Sequence, residues 1–258
     1  MSDARLSVQH GVAVLTLDRS PVNALSSGFY ADISAALSQV AADDSVQVLV
    51  LTSSSPKAFC AGADIAELAT LVGPAAEEAD ARRQVLARTI FGQLLDLPQP
   101  SIAVIDGPAI GAGAVIASCC DMRMGSARAS FALPEVDVAR CGGGRHLMRH
   151  LPQGIVRRMY FTATPLTSED ALRLGFLDSL HASETLVAAA LERAAGIAAK
   201  SPLALRLGKR ALNESEPLSV QDGYATEQRY TLELARSDDA REALAARRDK
   251  RDPHFTGR

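Results

Sequence analysis

Glu135 is the residue on which chemistry can be built. It follows Pro134 at the end of a short apolar run, Phe131-Ala132-Leu133. A carboxyl group set among Leu133, Val136 and Val138 loses hydration, which favours its neutral form and raises its pKa. Such a group can take and return a proton near neutral pH. Two glycine-bearing turns precede it. One is Lys57-Ala58-Phe59-Cys60-Ala61-Gly62-Ala63-Asp64, the other Asp106-Gly107-Pro108-Ala109-Ile110-Gly111-Ala112-Gly113-Ala114. Each follows an apolar, β-branched run and precedes a stretch with helical character. A strand that turns through glycine into a helix leaves backbone N–H groups facing a crevice. Two such turns face to face hold a developing oxyanion between two amides. Taken singly, each motif has an ordinary structural explanation: a strand–helix connection, or a glutamate in a surface loop.

The remaining reactive side chains form no competing centre. Gly111-Ala112-Gly113 opens like a dinucleotide fingerprint, but Ile116 stands where the third glycine belongs. Cys60 lies within the first turn with no base beside it, so it is expected to be a small packing residue. Asp137 is a candidate second carboxylate. If residues 135–137 are extended, its side chain and that of Glu135 point the same way; the alternative is a solvated turn residue. A helix beginning after Gly144 places His146 and His150 on one face, where His146 is either a substrate contact or a structural histidine. Cys60, Cys119, Cys120 and Cys141 have no CxxC spacing, and two histidines do not complete a zinc site, so no metal is expected.

Composition narrows the classes further. Hydrophobic residues make up 47% and charged residues 22% of the 258, the balance of a soluble globular chain. A net charge of −3 and an aromatic content of 4% leave neither a basic field nor stacking platforms for nucleic acid. No run is apolar enough to span a membrane. Residues 1–5 carry no apolar signal core, and the cysteine pattern suits reduced thiols, so the expectation is a cytoplasmic protein.

The elements that must position these groups follow from patterning. Leu6 and Val8, then Val12 to Leu17, form a hairpin about His10-Gly11. Ser26 or Ser27 caps a helix to about Ala42, with Phe29, Ile33, Leu37 and Val40 on one stripe. The runs from Val46 to Leu51 and from Ile102 to Ile105 are nearly continuous, as strands buried on both faces require. Asp64 opens one helix. A longer one is expected over residues 75–97, with Val85, Ile90, Leu94 and Leu95 inward. A small apolar helix follows the second turn, and short strands follow at Asp121 to Met124 and Ser130 to Ala132. From Arg145 the chain becomes mostly helical, over residues 155–162, 168–174, 183–200, 202–213 and 217–236, before a basic stretch at Arg247, Arg248, Lys250 and Arg251. Strand and helix alternate in the first half, the mark of an α/β architecture.

Several of these segments together resemble the crotonase superfamily, the enoyl-CoA hydratase/isomerase family. They are Leu17-Asp18-Arg19-Ser20-Pro21-Val22-Asn23-Ala24-Leu25, Ala58 to Ile65, Asp106 to Gly113, Cys120-Asp121, Phe131 to Glu135, and Lys250-Arg251-Asp252-Pro253-His254-Phe255. The resemblance covers nearly the whole chain. It implies an α/β fold with a crotonase-type ββα spiral core in residues 1–195. A helical C-terminal region, residues 196–258, would build a homotrimer or a dimer of trimers within the same functional unit.

The resemblance also implies roles. The backbone N–H groups of Ala63 and Ala112 form an oxyanion hole for the carbonyl of an acyl-CoA thioester, which is substrate and not cofactor; no separate cofactor is implied. Ala61, Ala63, Asp64 and Ile65 line the pantetheine with Lys57 nearby, and Gly111 and Ala112 also bind substrate. Glu135 is the acid/base. The family's hydratases use a second glutamate a few residues past the second turn, and here that place is held by Val115. The usual Pro-Gly after the Pro-Glu segment is replaced by Arg140-Cys141. One carboxylate suits proton transfer from C2 to C4 of a 3-enoyl-CoA, which is isomerisation. The rivals are hydration, thioester hydrolysis by water activated at Glu135 or Asp137, and an acyl-CoA-binding protein without catalysis.

Overall fold

The computed structural model describes residues 2–258. The chain opens with β1 (Ala4–Gln9) and β2 (Val12–Leu17), an antiparallel hairpin whose turn residues His10 and Gly11 both have positive φ. Helix α1 (Ser27–Ala42) follows, its N-terminus capped by the Ser26 hydroxyl, which accepts from the Phe29 amide. Then come β3 (Val48–Ser53), the short α2 (Ile65–Ala69), the long α3 (Glu77–Leu95), β4 (Ser101–Ile105), β5 (Pro108–Ile110) and α4 (Ala112–Cys119). Strands β6 (Met122–Ser126) and β7 (Ser130–Ala132) lead to a 3-10 turn, Glu135–Val138. The rest alternates α5 (Gly144–Leu147), α6 (Gln153–Thr162), β8 (Leu166–Thr167), α7 (Ser168–Arg173), β9 (Ser179–His181) and α8 (Ser183–Ala198). Helices α9 (Pro202–Ser215), α10 (Val220–Leu234) and α11 (Asp238–Asp249) complete it.

Strands β1-β2-β3-β4-β6-β9 form one sheet, parallel from β2 onward. Successive side chains of its central strands enter different cores, as the two-residue period of a strand dictates. Leu49, Leu51, Ala103 and Ile105 join the larger core beneath α1, α3 and α4. Val48, Val50, Ile102 and Val104 join a smaller one covered by Leu186, Ala190 and Ala194 of α8. Both faces are therefore apolar, which explains the unbroken hydrophobic runs of β3 and β4. Helix α8 crosses the residue-195 division between core and C-terminal region. Lys209 of α9 is tied to the sheet through Asp121 at 2.8 Å and the Gln99 carbonyl at 3.1 Å.

A second sheet, β5-β7-β8, is small but carries the site. It pairs the approach to Gly111 with the approach to Glu135, because Ile110 and Ala132 are in register. The Gly111 amide donates to the Ala132 carbonyl at 2.8 Å.

Of the two alternatives for Asp137, the structure shows the turn residue: Pro134 starts a 3-10 turn in which the Asp137 amide donates to the Pro134 carbonyl at 3.0 Å. Two expectations are corrected. His146 and His150 do not share a helix face, because α5 ends at Leu147. Val85 points outward and is exposed, and the inward stripe of α3 is held by Ile90 and Leu94. Of the basic stretch at the end, Arg247 and Arg248 lie in the last turn of α11, which Ser237 caps, and Lys250 and Arg251 follow it.

Candidate active site

The two glycine turns meet. The Ile110 amide donates to the Cys60 carbonyl at 2.9 Å, and the Cys60 amide to the Pro108 carbonyl at 3.2 Å, so the segments run as a parallel bridge. Gly62 sits where they are closest. It has φ +81°, and a Cβ placed on it would stand 2.6 Å from the Ile110 carbonyl oxygen and 3.4 Å from the Ala112 nitrogen. Only glycine fits that backbone shape and that gap.

Around Ala63 the neighbouring backbone groups are engaged. Leu25 donates to the Gly62 carbonyl at 2.7 Å, and the Asp64 amide donates to Leu25 at 3.1 Å. The Ala63 amide between them has no acceptor among the described residues. Ala112 is the first residue of α4, where a helix leaves its N–H groups unpaired. Its amide too has no acceptor among the described residues. Both residues line one cavity of about 500 Å³. Asn23 steadies the first turn from behind: its side-chain amide donates to the Phe59 carbonyl at 3.0 Å and to the Ser53 hydroxyl at 2.8 Å.

Glu135 lines the same cavity. Its Oε2 is buried with no hydrogen-bond partner. Burial raises its pKa above the usual glutamate value, against a smaller opposing pull from a backbone hydrogen bond. A carboxyl group that faces a cavity without a partner and holds its proton more tightly than in water is equipped for proton transfer. Val115 is 2% exposed and also lines the cavity. It packs against the Gly143 backbone and lies beside Leu133, since a Cβ on Gly143 would meet Val115 Cγ2 at 2.9 Å and Leu133 Cδ2 at 3.1 Å. This part of the lining is thus filled by hydrocarbon.

The other expected residues divide. Ala61, Ile65 and Gly111 line the cavity, and so does Asp137, although its side chain is exposed. Lys57 is exposed and lies outside the lining. Asp64 faces away: it caps α2 through the Ala66 amide at 2.9 Å and pairs with Arg19 at 2.9 Å, which keeps it ionised. Cys60 is buried, and desolvation pushes its thiol up to about 12, so it is no nucleophile. His150 is structural; its Nε2 lies 2.8 Å from the Ser118 carbonyl.

His146 is not a satisfied structural histidine. It lines the cavity with its Nδ1 buried and unpartnered, and its ring stands edge-on to Phe91 at 5.4 Å. Arg140 replaces the expected Pro-Gly with a strap. It pairs with Asp80 of α3 and donates to the Leu71 carbonyl at 2.8 Å, tying the loop after Glu135 across to α3. Helix α3 itself contributes Arg83, Gln84, Ala87, Arg88 and Phe91 to the lining. Sequence reasoning passed over these five. Their spacing marks a helix face, but nothing local says that the face meets Glu135.

Comparison with known proteins shows the family and the fold. Residues 7–258 match the family model described as enoyl-CoA hydratase/isomerase. A 2,3-dehydroadipyl-CoA hydratase of Escherichia coli is 33% identical over 262 residues, with all of both chains covered. A (7aS)-7a-methyl-1,5-dioxo-2,3,5,6,7,7a-hexahydro-1H-indene-carboxyl-CoA hydrolase of Rhodococcus jostii is 32% identical, covering 87% of this chain and 85% of its own. The crystal structure of an enoyl-CoA hydratase from Bacillus anthracis superposes with a TM-score of 0.94 at 28% identity, covering 99% of this chain and all of the other. With a family model spanning residues 7–258, the chain belongs to the enoyl-CoA hydratase/isomerase family of enzymes.

Proposed function

We propose that this enzyme binds an acyl-CoA thioester and stabilises its enolate, with Glu135 as the one acid/base, and that the reaction is transfer of a double bond from C3 to C2. The observation that carries the reading is the pairing of Glu135, whose Oε2 is buried without a partner, with an apolar Val115. The thioester oxygen accepts from the Ala63 and Ala112 amides. Glu135 removes a proton from C2, the electron pair moves onto the carbonyl oxygen, and each amide lowers the barrier by about 3–4 kcal/mol. Glu135 then returns the proton at C4 as the electrons move back, leaving the double bond between C2 and C3. Nothing else is consumed. The pantetheine runs along Ala61, Ala63 and Ile65, with Lys57 and Asp64 flanking, and the acyl group passes Gly111 and Ala112.

Hydration is the second reading, favoured by Asp137 in the lining and by relatives named as hydratases. The assembly we propose is a trimer or a dimer of trimers. Exposed Leu212, Val220, Tyr224, Leu232 and Leu244 of the C-terminal helices support it.

Supplying the purified enzyme with 2-enoyl-CoA and, separately, 3-enoyl-CoA discriminates the reactions. Appearance of 2-enoyl absorbance from the 3-enoyl thioester supports isomerisation. Its disappearance from the 2-enoyl thioester means hydration, and release of free CoA means hydrolysis. Binding without any reaction refutes the catalytic reading.

A further inference from the structure

The enolate chemistry leaves one wall of the cavity without a task. Arg83, Arg88 and Phe91 of α3 form part of it, and Tyr30 of α1 and His146 join them. Two buried polar atoms there make no hydrogen bond of normal geometry: the Tyr30 hydroxyl, which faces the Arg83 side chain, and His146 Nδ1. Arg83 engages Asp80 through Nε at 3.3 Å, and its two terminal nitrogens have no carboxylate partner. Arg88 pairs with no carboxylate among the described residues. Asp80 is shared between Arg83 and Arg140, so one carboxylate faces two guanidinium groups. The wall therefore carries more cationic than anionic charge.

A plain alkyl chain leaves the buried Tyr30 hydroxyl and His146 Nδ1 unsatisfied, which is costly for buried polar atoms. A neutral oxygen on the chain satisfies one or two of them. An anion satisfies donors and charge together, and a planar carboxylate matches the guanidinium fork. Burial, with Arg149 and Arg145 nearby, holds the His146 imidazole below the ordinary histidine value, so it is neutral and supplies one N–H without adding charge.

We propose that this wall selects acyl-CoA thioesters whose acyl chain ends in a carboxylate, received by Arg83 and Arg88 with Tyr30 and His146 as neutral partners. The proposal rests on the acyl-CoA reading above. Its test is equilibrium binding of saturated, unreactive acyl-CoA thioesters, each prepared as a methyl-terminated and a carboxylate-terminated chain of equal length. The CoA portion is common to both members of a pair and cancels. The carboxylate member is expected to bind at least tenfold more tightly. That ratio is expected to fall toward one in Arg83→Gln combined with Arg88→Gln. Arg88→Gln alone changes an exposed side chain with no carboxylate partner, and it must lower the ratio even if the Arg83 variant fails to fold. Equal binding of the pair, or a ratio unchanged by Arg88→Gln, overturns this proposal alone. Failure of every CoA thioester to bind overturns the acyl-CoA reading with it.

Discussion

Glu135 Oε1 lies directly over Gly111. A Cβ on that glycine would stand 2.7 Å from the carboxylate oxygen, and the backbone there has φ +52° and ψ −119°. Glu135 and the second glycine turn are therefore one fitted unit. Gly111→Ala should lower stability by about 1–3 kcal/mol through backbone strain alone. Turnover should fall further than that strain explains, because the new methyl displaces the carboxyl. Urea denaturation and kcat on the same sample separate the two effects; a variant with normal kcat refutes the coupling.

Glu135→Gln should remove about 10²–10⁴-fold of kcat while the fold persists. Stability and activity should respond to pH in opposite senses. The folded-state pKa of Glu135 is raised above its ordinary 4.5 by burial. Between 4.5 and that raised value the folded chain holds a proton that the unfolded chain has lost, so stability from this group declines as pH rises. Turnover needs the ionised form and climbs over the same window. The difference in melting temperature between the Gln variant and the wild type should thus grow with pH. A difference independent of pH would mean that Glu135 is not desolvated.

Much of the scaffold was legible in the sequence because its causes are local. The unbroken runs of β3 and β4, the Ser26 cap and the glycines of the two turns each report their own surroundings. The oxyanion segments and Glu135 were legible for the same reason, and they do line one cavity. What escaped depends on distant partners or on very short elements. Strand β5 has three residues, too few for a period to show. The segment after Pro134 left an extended run and a turn open, because apolar and acidic residues alternate there; the Asp137 and Ala139 amides close it onto Pro134 and Val136. Arg83, Arg88 and His146 reach the cavity only through tertiary packing.

The Cys120-Asp121 segment holds the C-terminal helices to the sheet. Asp121 accepts from the Ser101 amide at 2.7 Å and from Lys209 Nζ at 2.8 Å, and the Lys209 side chain is only 6% exposed. Asp121→Ala strands a buried ammonium and should cost about 3 kcal/mol in urea denaturation. Adding Lys209→Met should recover part of that loss, since the uncompensated charge goes with it. If the double variant is as unstable as the sum of the two singles, the pair is not coupled.

The cysteines offer a test of the cavity itself. Cys60, Cys119 and Cys120 are buried, and desolvation pushes each thiol up to about 12. Cys141 is exposed and belongs to the cavity lining. Thiolate, not thiol, attacks a disulfide reagent, so the three buried groups are barred by both access and ionisation. Native enzyme treated with an aromatic disulfide at mildly alkaline pH should release one equivalent rapidly, and Cys141→Ser should abolish that phase. Denaturant should expose the other three. Because Cys141 sits between the Arg140 strap and the glycine run that backs Val115, an acyl-CoA thioester in the cavity should slow its modification in proportion to occupancy. Free CoA should slow it less, since it lacks the acyl group that reaches Val115. Equal rates with and without saturating thioester would place the acyl chain somewhere other than this cavity.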